Sequence, residues 1–302
     1  MITTNMASII KRTINGVTYY YLEHAVRKKG LVAKKSRYLG RTIPKDFEEI
    51  QRRFIYEIDR EKWFDRFDRM RKRYASELSM TPNSAREKEL RDFSVRFTYD
   101  TQRIEGSTLT LRETAELLEE GLTPGAKPLK DVKEAEAHRR VFFEMLGYRR
   151  ELSLQAVLEW HRRLFEETDS QIAGRLRRTG VKIGGSRFVP PTPVELQPLL
   201  REFFSWYEAN RARKHAVELA ALAHLKFVTI HPFSDGNGRV SRLIMNFVLN
   251  AHGYPMLNIE YRERRGYYNA LERSQISKKE RVFCLWFFRE YLRQHKSLDS
   301  PD

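Results

Sequence analysis

One short passage, from His231 to Arg242, brings together the side chains that phosphate chemistry requires. It reads His-Pro-Phe-Ser-Asp-Gly-Asn-Gly-Arg-Val-Ser-Arg, so a histidine, an acid, a Gly-Asn-Gly turn and two arginines lie close together. An imidazole accepts a proton from an attacking hydroxyl group, and guanidinium groups bind phosphate oxygens. A carboxylate beside phosphates, here Asp235, is a natural ligand for Mg²⁺. The passage therefore predicts a site that holds a polyphosphate and deprotonates a hydroxyl.

The hydrophobic pattern after the turn predicts where these polar residues point. Apolar residues recur at helical spacing, which indicates a core helix that begins near Asn237. At about 100° per residue, Arg239 and Arg242 fall outside the apolar stripe, so both are expected to leave the core. Gly236 and Gly238 allow a tight turn, and free N–H groups at a helix N-terminus bind anions. The apolar positions are Val240, Leu243, Ile244, Phe247 and Val248.

The passage resembles, at each fixed position, the signature of the Fic family, His-x-Phe-x-Asp/Glu-Gly-Asn-Gly-Arg-x-x-Arg. Fic enzymes transfer AMP from ATP to a hydroxyl side chain of a target protein. The resemblance implies His231 as the general base and Asp235 as the ligand of Mg²⁺ or Mn²⁺. It also implies that the turn and the arginines bind the phosphates of ATP. These phosphate-binding residues are Gly236, Asn237, Gly238, Arg239 and Arg242.

A helix is predicted upstream, over residues 84–106. Ser84 and Glu87 have the spacing of a capping box, and Gly106 is typical of a helix C-terminus. The apolar side of this helix includes Leu90, Phe93, Phe97 and Ile104.

The end of this helix resembles the inhibitory motif Ser/Thr-x-x-x-Glu-Gly/Asn, which one class of Fic proteins carries before the catalytic core. Thr101 and Glu105 lie four residues apart on one helix face. The resemblance implies that Glu105 pairs with Arg242 and blocks the γ-phosphate position of ATP. A solvated helix face is the alternative interpretation of Thr101 and Glu105.

Two short β-prone runs flank a Gly-Gly-Ser turn between residues 181 and 191, which predicts a hairpin. Fic proteins carry such a flap over the active site, where it holds the target segment by strand addition. The resemblance implies target contacts for Ile183, Gly184, Gly185 and Phe188. A simple surface hairpin is the alternative.

Residues 265–271 resemble a Fic segment that lies near the adenine and ribose of ATP. The resemblance implies nucleotide contacts for Tyr267, Tyr268 and Asn269, although both tyrosines equally suit a packing role. A capping pattern from Ser277 to Glu280 predicts the start of the last helix.

Four histidines outside the signature are interpreted as core or surface residues. His224 lies two helical turns before His231, but no third ligand with metal-binding spacing accompanies the pair. The other members of this group are His138, His161 and His215.

The first 45 residues form a basic region with ten Lys and Arg against one acid, Glu23. Residues 16–22 and 31–39 are β-prone and flank Arg27-Lys28-Lys29-Gly30, which predicts a small basic hairpin. Such a charge excess binds nucleic acid or an acidic partner, and a solvated basic surface is the alternative. A helical connector is expected over residues 46–83.

Composition restricts the class of protein. The chain has 302 residues, of which 41% are hydrophobic, enough for one large core and a small appendage. Its lone cysteine, Cys284, excludes an internal disulfide and indicates a cytoplasmic location. Uncharged apolar runs are too short for a membrane span, and no secretion signal is evident.

Together with these observations, the resemblance implies a mainly α protein with a Fic-type core of about eight helices and a β-hairpin flap. The Fic domain is expected over 84–290, with a C-terminal tail over 291–302. The expected function is transfer of AMP from ATP to a Ser, Thr or Tyr of an unidentified target protein, restrained by Glu105. Self-modification and a homodimer are also expected from the resemblance.

Three alternatives remain open at this stage. The same site is suited to removing AMP, alone or in addition, with Glu105 orienting a water molecule. A kinase of the Doc type is disfavoured, because Doc proteins generally have Lys where Gly238 stands. The third alternative is a regulator that binds nucleic acid through residues 1–45.

Overall fold

The computed structural model describes residues 7–28 and 31–299, and within these ranges the chain is mainly helical. This confirms the predicted fold class. The chain divides into two compact units between Arg66 and Phe67, inside the stretch predicted as a connector.

The first unit contains an antiparallel sheet with strand order β1-β2-β3. The sheet replaces the single hairpin that was predicted, because a further strand precedes it. Asn15 and Gly16 join β1 to β2 with positive φ angles of 51° and 77°, as a two-residue hairpin turn requires. The predicted turn at Lys29 and Gly30 lies outside the described residues. The strands are β1 (Ser8–Ile14), β2 (Val17–Lys28) and β3 (Leu31–Gly40).

One face of this sheet packs against helix α1 (Phe47–Asp59). Leu22 and Leu39 from the sheet form a buried cluster with Phe54 and Ile58 from the helix. The apolar alternation of the strands and the helical spacing of α1 meet here, so the first unit has a small core of its own. A π-helical turn, Arg60–Phe64, leads to α2 (Asp65–Met80).

The second unit consists of helices joined by loops, and the helix that carries the predicted inhibitory motif comes first. The α-helices are α3 (Asn83–Ile104), α4 (Leu111–Ala115), α5 (Leu129–Gly147), α6 (Leu154–Phe165), α7 (Leu196–Asn210), α8 (Ala216–Ile230), α9 (Asn237–Ala251), α10 (Arg264–Ser277) and α11 (Glu280–Gln294). A π-helical turn, Glu116–Glu120, extends α4, and 3₁₀ turns occur at Pro193–Glu195, Tyr261–Glu263 and Lys296–Asp299.

Two of the predicted helix starts are wrong. Helix α3 begins at Asn83 behind Pro82, without a side-chain cap, so Ser84 and Glu87 do not form a capping box. Proline precedes a helix readily because it has no N–H to satisfy. Ser277 ends α10 and donates its hydroxyl to the Arg273 carbonyl, so it does not cap α11.

The Fic domain was predicted to end at residue 290, within the last α-helix. Helix α11 continues to Gln294, and its residues Tyr291 and Leu292 are both buried. Of the predicted tail, residues 300–302 lie outside the described part.

Helices α8 and α9 form the centre of the second unit, and the signature loop joins them. Val240, Leu243 and Ile244 of α9 are fully buried, which confirms the predicted apolar stripe and the helix start at Asn237. The signature loop therefore connects two helices that are buried along most of their length.

The predicted flap does not pair as a hairpin. Within residues 180–192 the structure has a turn, in which the Ser186 N–H donates to the Ile183 carbonyl (3.1 Å), but no strand ladder. The β-hairpin prediction for this segment is therefore wrong. Pro190 and Pro191 explain part of the difference, because proline has no N–H to donate to a ladder. Glu272 of α10 accepts the Arg187 N–H instead (2.6 Å).

Among the described residues, no helix is both long enough and apolar enough to cross a membrane.

Candidate active site

The signature loop is shaped by contacts within itself. The side-chain oxygen of Asn237 accepts the Phe233 N–H (2.9 Å), and its nitrogen donates to the Phe233 carbonyl (2.8 Å). Gly236 has φ 80°, and a Cβ there would lie 2.5 Å from the ring of Phe165. Asn237 is 3% exposed, so its side chain holds the turn, whereas the resemblance implied a phosphate contact.

His231 lies between α8 and the rest of the signature loop. It ends α8 in the left-handed conformation, with φ 53° and ψ 56°. Its Nδ1 lies 3.2 Å from the Val228 carbonyl, which assigns the ring proton to Nδ1 and leaves Nε2 as an acceptor. Burial lowers the pKa of His231, and the Arg177 charge adds to this, against the Val228 hydrogen bond, Glu105 and Asp235. The imidazole is therefore neutral at neutral pH.

Asp235 lies on the same loop with its carboxylate 44% exposed. Burial alone would raise its pKa, but Arg239 and the Gly236 N–H bring the pKa below its usual value. Its Oδ1 lies 3.0 Å from Arg239 and 2.5 Å from the Gly236 nitrogen.

The donor set around Asp235 suits an ion that arrives with a nucleotide. The described residues contain no group of three or more His, Cys, Asp or Glu able to hold a metal ion. Mg²⁺ commonly takes one or two carboxylates and completes its shell with phosphate oxygens and water. A single ionised, half-exposed carboxylate beside a phosphate site therefore fits Mg²⁺, and Asp235 would hold it.

Arg239 is enclosed by the protein, at 2% exposure, although its helical position predicted that it would leave the core. Glu134 of α5 and Asp235 both pair with its guanidinium group. The guanidinium also lies 4.5 Å from the centre of the Phe165 ring. Side chains from α5 and α6 cover the face of α9 that was predicted to be exposed. A projection of α9 alone does not take these neighbouring helices into account.

Arg242 is also buried, at 1% exposure, and two of its partners come from the end of α3. Its Nη2 lies 2.6 Å from Oε1 of Glu105, so the structure contains the predicted pair. Nε donates to the Thr101 hydroxyl (3.0 Å) and Nη2 to the Thr101 carbonyl (3.3 Å). Thr101 and Glu105 thus bind the guanidinium together.

Gly238 makes room for this pair. A Cβ on Gly238 would lie 2.2 Å from Oε1 of Glu105 and 3.0 Å from Nη1 of Arg242. No side chain fits there while Glu105 keeps its position, so the contact between Glu105 and Arg242 requires glycine at position 238.

The predicted nucleotide-binding segment separates into buried and accessible residues. Tyr267 is 1% exposed, and its hydroxyl lies 3.0 Å from Nε2 of His224 and 3.4 Å from Nη1 of Arg242. Its ring is enclosed, so the packing alternative applies to Tyr267. Tyr268 is 45% exposed and donates to the Ile104 carbonyl (3.0 Å), while Asn269 is exposed on α10. Of the three residues predicted to contact the nucleotide, Tyr268 and Asn269 are exposed to solvent.

The flap residues lie at the surface, with the Gly184-Gly185 turn exposed and Ile183 and Phe188 half-buried. Gly185 has φ 73°, which favours glycine at the tip. The Ser186 hydroxyl also lies within 3.3 Å of Glu272, so α10 holds the tip.

Sequence analysis missed the residues that hold the loop from outside. His161, interpreted only as core or surface, is buried with its Nδ1 accepting the Gly174 N–H (3.0 Å). Its Nε2 therefore carries the proton and donates to the Asp235 carbonyl (3.0 Å), while the ring stacks on Phe233 at 3.7 Å. Glu134 and Arg177 were missed for the same reason: their partners are remote in the sequence.

Comparison with known proteins shows similarity to one family over part of the chain. Residues 151–249 match the Fic/DOC family. A protein adenylyltransferase Fic from Aedes aegypti is 36% identical over 217 residues, which is 70% of this chain and 43% of that protein. One from Drosophila grimshawi is 38% identical over 58% of this chain and 36% of its own length. The chain thus spans less than half the length of the curated relatives that it matches.

Solved structures agree with this assignment. A Fic-domain signaling protein from Bacteroides thetaiotaomicron superimposes with a TM-score of 0.69 at 27% identity, over 78% of this chain and 96% of that one. Fic-1, residues 134–508, from C. elegans gives a TM-score of 0.71 at 25% identity, over 83% and 75% of the two chains.

Proposed function

We propose, from the Fic/DOC-family domain that this chain carries, that it transfers AMP from ATP to a Ser, Thr or Tyr hydroxyl of a target protein. The observation that carries the proposal is the arrangement of the signature loop. It presents a neutral imidazole with a free Nε2 beside an ionised carboxylate and two arginines. That set suits attack by a hydroxyl on a nucleotide phosphate, with the charge of the leaving group neutralised.

The chemistry follows from these residues. Nε2 of His231 accepts the hydroxyl proton while the hydroxyl oxygen bonds to the α-phosphorus of ATP. The bond from that phosphorus to the bridging oxygen breaks, and pyrophosphate leaves with its charge facing Arg239 and Arg242. Mg²⁺, when bound at Asp235, supplies further charge neutralisation for the phosphates. The N–H groups at the start of α9 face the same anion.

The flap suits an extended target segment. The turn at Gly184 and Gly185 is exposed, and the arms beside it form no ladder with each other in the described residues. Backbone groups left in this way accept a strand from another chain. The target, which includes the protein itself in self-modification, would present its hydroxyl along this edge.

We also propose that Glu105 restrains the reaction. Its carboxylate occupies Arg242 at 2.6 Å and is 27% exposed, so it faces the site and holds an arginine that the outer phosphates require. A carboxylate in this position is also suited to orient water for the reverse removal of AMP, which remains the second outcome of the same site.

Asp235→Asn is expected to lose transfer at Mg²⁺ concentrations that saturate the wild type, because the amide is a weaker ligand for a hard cation. The measurement is the transfer rate against Mg²⁺ concentration. Asp92→Asn, which changes an acid of α3 outside the loop, is the control. An Asp235→Asn curve that overlays the control would contradict the metal assignment.

The transfer rate is expected to depend on pH with an acid limb below the usual histidine pKa of about 6.5. A general base works when unprotonated, and burial and Arg177 lower the pKa of His231. Activity should therefore persist as pH falls and be lost only when pH drops through that lowered pKa. The check is kcat/KM against pH, and an acid limb at or above 6.5 would contradict this account.

The basic first unit favours a second function, binding of nucleic acid. The ring centre of Tyr38 lies 6.1 Å from that of Tyr19 and 5.3 Å from that of Tyr21, so the three tyrosines share one face of the sheet. Arg12 and Arg41 lie over the rings of Tyr21 and Tyr19. Aromatic faces with cations between them bind single strands by stacking and charge. A gel shift with single-stranded RNA that weakens steeply with salt tests this, and no shift at low salt excludes it.

We further propose that the protein is cytoplasmic and forms a homodimer. Cys284 is a buried free thiol of α11, as a reducing compartment favours. Light scattering of the purified protein measures the mass of the assembly.

A further inference from the structure

Arg177 lies in the segment between α6 and the flap, and its guanidinium group binds three backbone carbonyls. The residue is 3% exposed. Nε donates to the His231 carbonyl (2.7 Å), Nη1 to the Thr179 carbonyl (3.0 Å) and Nη2 to the Pro191 carbonyl (2.5 Å). Each guanidinium nitrogen thus serves a different part of the chain. A buried cation needs such acceptors, because leaving water without them is costly.

The first of these contacts acts on the catalytic base. His231 has φ 53°, a conformation that a residue with a Cβ rarely adopts. Nε of Arg177 holds its carbonyl, and the Arg177 N–H donates to the carbonyl of Pro232 (3.0 Å). Two successive carbonyl groups are therefore fixed by one residue, which sets the direction of the imidazole.

The other two contacts act on the flap. Thr179 lies two residues before the segment that was expected to form a hairpin, and Pro191 is the last residue of that segment. The described residues of this segment form no strand ladder. The Arg177 guanidinium group instead links the two arms of the flap by donating to a carbonyl at the base of each arm. Glu272 holds the tip.

We propose that Arg177 is a positioning residue that fixes the flap and the catalytic base relative to each other. A hydroxyl presented along the flap then meets Nε2 of His231 at a constant distance. The inference rests on the proposed function, since it assigns the flap to the target and His231 to proton transfer. Charge-assisted hydrogen bonds from one planar group suit this task, and lysine cannot reproduce their fork geometry.

Arg177→Lys and Arg177→Met test the proposal in the full-length protein, with Arg178→Lys as the control. Arg178 is the exposed neighbour of Arg177, so the control makes the same chemical change without touching the three carbonyls. Thermal unfolding establishes that the variants are folded. If Arg177→Met does not fold, Arg177→Lys carries the test.

The first measurement does not depend on activity. Trypsin cleavage after Lys182 and Arg187, followed by mass spectrometry, reports how firmly the flap is held. We expect cleavage at least about tenfold faster in Arg177→Lys than in Arg178→Lys, since hydrogen bonds to a charged donor are lost. Equal cleavage rates in the two variants would overturn the proposal.

The second measurement is the titration of His231 by NMR. Burial, Arg177, Glu105, Asp235 and the Val228 carbonyl act on this imidazole. Loss of the positive charge in Arg177→Met should raise the His231 pKa, whereas Arg177→Lys should change it less. A His231 pKa that is the same in Arg177→Met and the wild type would count against the proposal.

The third measurement is self-modification with α-³²P-ATP in the Glu105→Gly background, because Glu105 is proposed to restrain the wild type. Arg177→Lys should lower the maximal rate at least about tenfold, as a displaced base or hydroxyl does, without changing the ATP concentration needed for half the maximal rate. If neither the Glu105→Gly protein nor its Arg177 variants incorporate label while flap cleavage and titration respond, the proposed function fails and the positioning role stands. If the Glu105→Gly protein incorporates label and Arg177→Lys matches Arg178→Lys in rate, the positioning role fails.

Discussion

Glu105→Gly is expected to increase AMP transfer at least about tenfold, the largest gain that any single substitution in this chain should give. Glu105 lies 2.6 Å from Arg242 and faces the position of the outer phosphates. Two like charges about 4 Å apart repel by roughly 4 kcal/mol near a protein surface, and solvent reduces this for a partly exposed group. Removing the carboxylate ends the repulsion and frees Arg242 for ATP.

The same substitution separates three roles of Glu105. An inhibitory carboxylate gives a gain when removed, a catalytic one gives a loss, and a merely structural one gives no change. If Glu105 also orients water, the variant should lose the removal of AMP from a modified target. Each role thus has its own outcome in assays of labelling and release.

A matched control removes the effect of a glycine at a helix end. Glu105 is the first residue after α3, and Glu166 is the first residue after α6. Glu166→Gly should leave transfer unchanged. No increase for Glu105→Gly, with the protein folded, would contradict autoinhibition, as would an equal increase for Glu166→Gly.

His231→Ala is expected to lower transfer by roughly 10²- to 10⁴-fold, the range for loss of a general base. The loss belongs to the chemical step, because Nε2 accepts the proton of the attacking hydroxyl. ATP binding should persist, since the arginines and the turn remain. The measurement is the transfer rate in the Glu105→Gly background, where the signal is largest, together with nucleotide affinity by calorimetry.

His252→Ala is the control for this loss. His252 follows α9 as His231 follows α8, and its Nδ1 lies 2.8 Å from the Val248 carbonyl. The two histidines therefore make the same contact at a helix end, but only His231 belongs to the signature loop. Wild-type transfer by His231→Ala, or an equal loss in His252→Ala, would contradict the assignment of the base.

Local patterns were sufficient to predict much of this site. Apolar spacing predicted α9 and its start, and the resemblance predicted the pair of Glu105 with Arg242, which lie 137 residues apart. Neither result needed a knowledge of packing. The first came from periodicity within one helix, and the second from a motif.

Predictions failed where distant segments decide the outcome. Arg239 and Arg242 were expected to leave the core, but acids from α5 and the end of α3 enclose them. The role of His161 depends on the Asp235 carbonyl, 74 residues away, and that of Arg177 on His231, 54 residues away. No local pattern contains such contacts. The first strand is different, because Asn15-Gly16 is a hairpin signal that sequence analysis overlooked.

The central claim is that the chain transfers AMP and that His231 takes the proton. Incubation of the wild type, Glu105→Gly and Glu105→Gly with His231→Ala in parallel with α-³²P-ATP and γ-³²P-ATP tests both parts. We expect protein labelling from the α-labelled nucleotide alone, strongest in Glu105→Gly and at least about 10²-fold weaker in the double variant. Labelling from γ-³²P-ATP, or labelling of the double variant by α-³²P-ATP that equals that of Glu105→Gly, would contradict this claim.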